Sequence, residues 1–337
     1  MDILVTGAAG VVGAEVCGQL RAGGHRPVQV VRRPSPDQDV LAWDMGRAEP
    51  PESVRRHWDV IVHAAASTRW TMSRAEATAS NIDPLRAALA LAGPDTHVVH
   101  VSTAYVDHGD DVGAGRPEYD GYRNGYEWSK ARCEALVRER GSATTIVRPP
   151  LILGRRSDGG VARFSGAYTL LQTLVSGLAA LVVGEPEGYA EIAPVDEVAE
   201  VIVAAALGPV PADVPVEVIA AGADCLKLDE MLDIILDGIN EWRTARGTAP
   251  VPRPPMMPAD RWHRFCLPLV HEYLSPVQAQ AVELLSLFEG YTSMSKPFTP
   301  TVPVRDPAEV LRRSVAHWVA AKPQLAGRTP EPWSLVP

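Results

Sequence analysis

Cysteine is scarce in this chain. Its 337 residues include only Cys17, Cys133, Cys225 and Cys266, widely separated and without a Cys-x-x-Cys pair. That excludes a disulfide scaffold or a thiolate zinc site and leads us to expect reduced thiols in a cytoplasmic protein. Long apolar runs are also missing. The longest, Leu170 to Val183, is interrupted by Gln172 and Ser176, too short for a membrane span and suited to a core or pocket helix. No basic segment followed by an apolar stretch opens the chain; it begins Asp2-Ile3-Leu4-Val5, directly in a strand, so no secretory signal is expected. Positive charge is in deficit, with 32 Lys and Arg against 41 Asp and Glu and a net charge of -9. A general nucleic-acid or anionic-membrane binder is thereby disfavoured, although a local basic pocket for an anionic ligand is not. No metal site is expected: His97, His100 and His108 lack ligand spacing, and the carboxylates are scattered. No solenoid repeat is visible.

What is present is an alternation of short β-like runs with helical stretches. Strands are expected at 3–6, 27–31, 60–64, 97–101 and 144–147, with helices at 11–22, 75–91 and 126–140. This order implies an α/β fold, a doubly wound parallel sheet of the Rossmann type. After about residue 151 the pattern loosens. We expect helices at 195–207, 228–242, 276–288 and 307–321, a strand at 214–219, and an irregular proline-rich stretch at 250–258. The expected organisation is a nucleotide-binding domain over 1–150, with 190–220 returning to it. A mostly helical substrate lobe would comprise 151–189 and 221–325, followed by a tail at 326–337.

Between the first strand and first helix runs Val5-Thr6-Gly7-Ala8-Ala9-Gly10-Val11-Val12-Gly13. Gly7 permits the tight turn, Gly10 lets a pyrophosphate approach the backbone, and Gly13 allows close helix–strand packing. The helix N-terminus, with Val11 and Val12 in its first turn, offers N–H groups and the positive end of a dipole to phosphate. The second strand ends Val30-Val31-Arg32-Arg33 with no acid. Arginine can grip a 2′-phosphate, so NADP is favoured over NAD; a solvated basic turn is the alternative.

Tyr126 and Lys130 in Asn124-Gly125-Tyr126-Glu127-Trp128-Ser129-Lys130 stand four apart on a helix and can share one face. An ammonium beside the phenol is expected to lower its pKa from about 10. The expected strand 97–101 runs into Ser102-Thr103, hydroxyls at the carboxyl edge of the sheet, where ligands of such folds bind; capping the turn is their other use.

These motifs, together with VIVHAAAST, ASNIDPLRAAL, HVVHVSTAYV, IVRPPLILG and IAPVDEVAEVI, resemble an extended short-chain dehydrogenase/reductase over residues 1 to about 207. STAYV, YEWSK and RPPLILG are most similar to fatty acyl-CoA reductases and thioester reductase domains. The resemblance implies catalytic roles for Tyr126 and Lys130, a substrate-binding hydroxyl at Thr103 with Ser102 beside it, and cofactor contacts at Thr6, Ala64, Ala65, Ala66, Asp44, Lys130 and Pro149. It places Asn81 either beneath the site or on a helix surface, and it allows a homodimer. The implied activity is NADPH-dependent reduction of a small-molecule carbonyl or acyl thioester. Alternatives are an NAD-dependent nucleotide-sugar epimerase or dehydratase, and a non-catalytic sensor of NADP.

His63 reads as structural, and Asp196 and Glu197 read as helix-dipole partners. Arg155 and Arg156 face either an anionic substrate or water. Trp262, Phe265, Tyr273, Phe288 and Tyr291 read as core, with a pocket lining as the alternative. Beyond about residue 225, where substrate choice is expected to lie, no resemblance is evident.

Overall fold

The computed structural model describes residues 1–33, 39–106, 119 and 121–330. His108 lies outside them, as do 331–337 of the expected tail.

The chain divides into two compact units. The first comprises Met1–Pro150, Val195–Ile219 and Pro300–Val302; the second comprises Leu151–Pro194, Ala220–Thr299 and Pro303–Pro337. An eight-stranded sheet runs in the spatial order Val302–Pro303, Val216–Ala220, Thr144–Arg148, His97–Val101, Val60–His63, Ile3–Thr6, Val28–Val31, Val40–Ala42. From Val216–Ala220 to Val40–Ala42 every neighbouring pair is parallel. The order reverses beside Ile3–Thr6, the switch point at which wound sheets bind ligands.

The central strands are rich in Val and Ile and buried along their whole length, as expected of a parallel sheet covered on both faces. Near the outer strands Leu4, Ile61, Trp43, Trp58 and Met45 pack into one cluster. Beneath the helix Gly125–Arg140, Ile82, Leu85, Cys133, Val137 and Ile146 form another. The first helix, Val11–Ala22, packs against Val195–Leu207.

Three expectations require correction. The stretch 75–91 is not one regular helix: Arg74–Ala77 passes through a π-turn, Thr78–Ile82, into Asp83–Leu89. The apolar run from Leu170 is not one element either. Its helix, Tyr168–Ser176, stops at left-handed Gly177 (φ 77°), and Val182–Val183 is a short strand. Glycine there costs no Cβ clash, so the chain turns before the apolar run is exhausted. Finally, the proline-rich 250–258 contains the strand Met256–Met257, paired with Val182–Val183. Prolines border those two residues, so their N–H groups stay available to a ladder.

In the second unit, Glu191 is fully buried and accepts N–H bonds from Ala221 (2.7 Å), Gly222 (3.2 Å) and Phe298 (3.2 Å). Buried Arg243 donates to the carbonyls of Ala249, Ala326 and Arg328. These two charged groups satisfy backbone that the short elements of this unit leave unpaired.

The sharpest backbone constraint lies in the first turn. Gly7 has φ +68°, and a Cβ there would stand 2.6 Å from the Ala65 nitrogen. Gly7→Ala is therefore expected to lower unfolding free energy by about 1–3 kcal/mol. Chemical denaturation measures it; an unchanged midpoint would show that the turn relaxes freely.

Candidate active site

The glycine turn fits a dinucleotide on grounds of backbone geometry. A Cβ at Gly13 would lie 2.3 Å from the Gly7 carbonyl oxygen, so the helix can start this close to the turn only with glycine. Gly10 caps the helix with no side-chain hydrogen bond, and no acid stands in the first turn. The first N–H groups therefore meet no carboxylate or capping hydroxyl, the arrangement that receives a phosphate. Ala64, Ala65 and Ala66 follow the fourth strand and are partly exposed. Arg32 and Arg33 are exposed and take part in no ion pair among the described residues. The Asp44 side chain is exposed, while its carbonyl accepts from Arg47 and Ala48 in a tight turn. Thr6 is buried, and its hydroxyl serves the protein itself, meeting His63 Nδ1 at 2.9 Å and the Ala65 N–H at 3.4 Å.

The helix Gly125–Arg140 carries Tyr126 and Lys130. Asn124 caps it, its side chain accepting from the Glu127 N–H at 3.0 Å. Gly125 admits the close passage of the Met72 carbonyl, which would stand 2.3 Å from any Cβ. Arg123 pairs with buried Glu127 at 2.7 Å and lies over the Tyr105 ring. Tyr126 is thus presented from a first turn held by a cap and an ion pair.

Lys130, one turn on, is buried, and its ammonium donates to the Val101 carbonyl at 2.7 Å. This ties the helix to the end of the fifth strand. Beyond that carbonyl stand Ser102 and Thr103, and Thr103 hydrogen-bonds the Tyr126 hydroxyl. Thr103 also donates to the Pro149 carbonyl at a long 3.4 Å, and that carbonyl accepts the Ala104 N–H at 2.9 Å. The two hydroxyls of Tyr126 and Thr103 therefore meet at the sheet edge.

Ser102 points elsewhere. It donates to Glu134 at 2.6 Å, and Glu134 also takes two bonds from Arg148 (2.8 and 2.7 Å) and one from Arg138. Sequence reasoning missed this buried carboxylate, although Glu134 lies four residues after Lys130 and so follows it along the helix.

Asn81 is not on a helix surface. It is buried in the π-turn, donating to Ser129 Oγ (2.8 Å) and the Ser67 carbonyl (3.1 Å) and accepting from the Ser67 N–H (2.6 Å). Ser129 in turn donates to the Tyr126 carbonyl at 2.7 Å. The extra residue of a π-turn re-aims side chains, which is how Asn81 reaches inward.

The electrostatics correct one expectation. Tyr126 is not acidified by Lys130: burial pushes the phenol up to about 12, with the Thr103 hydrogen bond opposing and Glu127 adding to the rise. The physical reason is that the ammonium is turned to Val101. Burial also lowers the pKa of Lys130. Tyr126 consequently holds its proton across the neutral range and suits the role of donor.

Other candidates resolve locally. Arg155 forks onto Asp158 (3.1 and 2.9 Å), and Arg156 donates to the Arg305 carbonyl (2.7 Å). Trp262, Phe288 and Tyr291 are buried, but Phe265 (61%) and Tyr273 (64%) face solvent and belong to no core. No cluster of three metal-ligating side chains occurs among the described residues, and no described helix is long and apolar enough to cross a membrane.

Comparison with known proteins gives similarities in part of the sequence and in the fold. Residues 48–202 match the family model described as Male sterility protein. The terminal R domain of the myxalamid PKS-NRPS biosynthetic pathway is similar in structure, with TM-score 0.68 and 18% identity, over 98% of this chain and 92% of that one. The PhqB reductase domain of Penicillium fellutanum gives 0.64 and 18%, over 95% and 93%. The Bordetella bronchiseptica enzyme WbmH, solved with NAD+, gives 0.63 and 15%, over 95% and 98%. No curated protein matches. The fold is the wound nucleotide-binding sheet these structures share. The family match spans residues 48–202, less than half of the chain, and the solved structures share its wound parallel-sheet fold.

Two measurements test this geometry. Replacing Glu134 by Ala removes the buried carboxylate that Ser102, Arg148 and Arg138 bond and is expected to cost about 3–5 kcal/mol; a loss below about 1 kcal/mol by urea titration would contradict the network. In the protein without dinucleotide, the ultraviolet titration of wild type minus Tyr126→Phe should show no tyrosinate below about pH 10. A midpoint below about pH 9 would mean that Lys130 does reach the phenol.

Proposed function

We propose that this protein is an NADPH-dependent reductase acting on a carbonyl or acyl thioester. The observation that carries the reading is the meeting of the Tyr126 and Thr103 hydroxyls beside Lys130, at the sheet edge that a glycine turn opens to a dinucleotide. When bound, the reduced nicotinamide supplies a hydride.

The chain's own residues do the rest. Gly7, Gly10, Val11, Val12 and Gly13 hold the pyrophosphate through backbone N–H groups. Arg32 and Arg33 take the 2′-phosphate, Asp44 lies toward the adenine, and Ala64, Ala65, Ala66 and Pro149 line the dinucleotide. Lys130, anchored on Val101 by one N–H, has a further donor for the nicotinamide ribose. Thr103 donates to the substrate carbonyl oxygen and stabilises the charge that develops there. Tyr126, half-buried and with its pKa raised, gives its proton to that oxygen as the carbonyl carbon is reduced. With a thioester the resulting tetrahedral adduct expels the thiol and leaves an aldehyde. Ser102, spent on Glu134, positions the strand end.

A nucleotide-sugar epimerase with tightly held NAD is the second reading, supported by a likeness in fold to a UDP-glucose 4-epimerase of Thermotoga maritima and to WbmH, whose structure holds NAD+. It differs in leaving Arg32 and Arg33 without a role. A non-catalytic NADP sensor would leave the hydroxyl pair without one.

The test follows NADPH absorbance with acyl-CoA, aldehyde, ketone and nucleotide-sugar substrates. Turnover of a carbonyl or thioester is expected, falling ~10²–10⁴-fold in Tyr126→Phe with NADPH affinity largely retained. Undiminished turnover in that variant would refute the assignment. Substituting Arg32 and Arg33 by Ser should weaken NADPH about 10–100-fold while sparing NADH. An equal loss for both dinucleotides would remove the 2′-phosphate role.

A further inference from the structure

Beneath Lys130 lies a polar row whose chemistry neither the fold nor the hydroxyl pair uses. The sheet register pairs Thr6 with His63, His63 with His100, and His100 with Ile146. Side chains directly opposite in a parallel sheet share a face. This row therefore crosses four strands on one face, and Ile146 fixes which face it is, since it packs with Cys133 and Val137 of the Lys130 helix.

His63 and His100 are 1% and 0% exposed, with rings stacked at 5.6 Å and 17°. His63 is satisfied at Nδ1 by Thr6. His100 is not: neither of its ring nitrogens meets a hydrogen-bonding group of the described residues. Burial pushes both imidazoles far below the usual histidine range, His63 to about 3, with the Lys130 charge as the next cause. Both rings are thus neutral, and each feels the ammonium.

A buried polar group without a partner costs about 1–3 kcal/mol, and an apolar ring of the same size would avoid that cost. Two neighbouring facts indicate what offsets it. The Lys130 ammonium donates to the carbonyl of Val101, the residue next to His100, and this is one of its three N–H donors. A neutral imidazole always keeps one acceptor nitrogen. A donor and an acceptor on neighbouring buried groups that do not bond each other are the setting in which a single water is held.

We propose that His100 binds a buried water that bridges its ring to the Lys130 ammonium. His100 is thereby a positioning residue for the catalytic lysine, and stacked His63, held by Thr6, keeps the His100 ring in orientation. The role attributed to Lys130 rests on the reductase reading above; the water site itself does not.

The test pairs a readout independent of turnover with one that depends on it. A high-resolution crystal structure of the full chain should show one ordered water within hydrogen-bond distance of both His100 and Lys130 Nζ. The absence of that water overturns the proposal whatever the activity. His100→Phe, which keeps the ring and removes both nitrogens, should melt no lower than wild type. Its NADPH turnover should nevertheless fall at least about tenfold, and His100→Gln, which can hold the water, should restore most of it. Wild-type turnover in His100→Phe, or equal losses in Phe and Gln variants, would overturn the positioning role. If wild type binds NADPH but consumes none, the reductase reading fails, and the crystallographic water decides the site alone.

Discussion

The ammonium of Lys130 is bonded, buried away from bulk solvent, to the main chain of the fifth strand at Val101. A lysine buried in this way loses hydration that costs several kcal/mol, and the bond recovers part of it. In return the helix is fixed, in register and in rotation, against the strand whose next residues are Ser102 and Thr103. Tyr126 stands one turn earlier on that helix, so its hydroxyl has little freedom except to meet Thr103. Asn81 closes the same geometry from the other side, through Ser129 and the Tyr126 carbonyl. Preorganisation here is a matter of backbone carbonyls and a π-turn, with few flexible side chains involved.

Charge around this tie is arranged as a series of local neutralisations. Glu134 answers Arg148 and Arg138, Glu127 answers Arg123, and Lys130 is held on the Val101 carbonyl. Two uncharged imidazoles lie beneath it. A phenol pushed up by burial beside a lysine pushed down by burial is poised to hold its proton until an oxyanion forms. That disposition favours donation to substrate over abstraction from it.

Much of this was legible from residues alone because parallel strands and glycine turns leave strong local signatures. The strand 3–6 and the helices 11–22, 195–207 and 307–321 were read to the residue. Tyr126 and Lys130 share a helix face because a period of 3.6 requires it. What was not legible depended on long-range packing. Asn81 turns inward through a π-turn that no period signals, and Ser102 is drawn to Glu134 from a helix thirty-two positions away. The direction of the Tyr126 shift was read wrongly, since a four-residue spacing says nothing of which carbonyl an ammonium chooses. In the second unit, short strands such as Met256–Met257 form only because Val182–Val183 lies alongside.

The most direct measurement is a crystal structure of the protein with NADP bound. The account predicts the nicotinamide edge against the Tyr126 and Thr103 hydroxyls, its ribose hydroxyls on Lys130, and the pyrophosphate on the turn Gly7–Gly13. A dinucleotide seated away from that hydroxyl pair, or a Tyr126 side chain rotated off Thr103 when it binds, would contradict it.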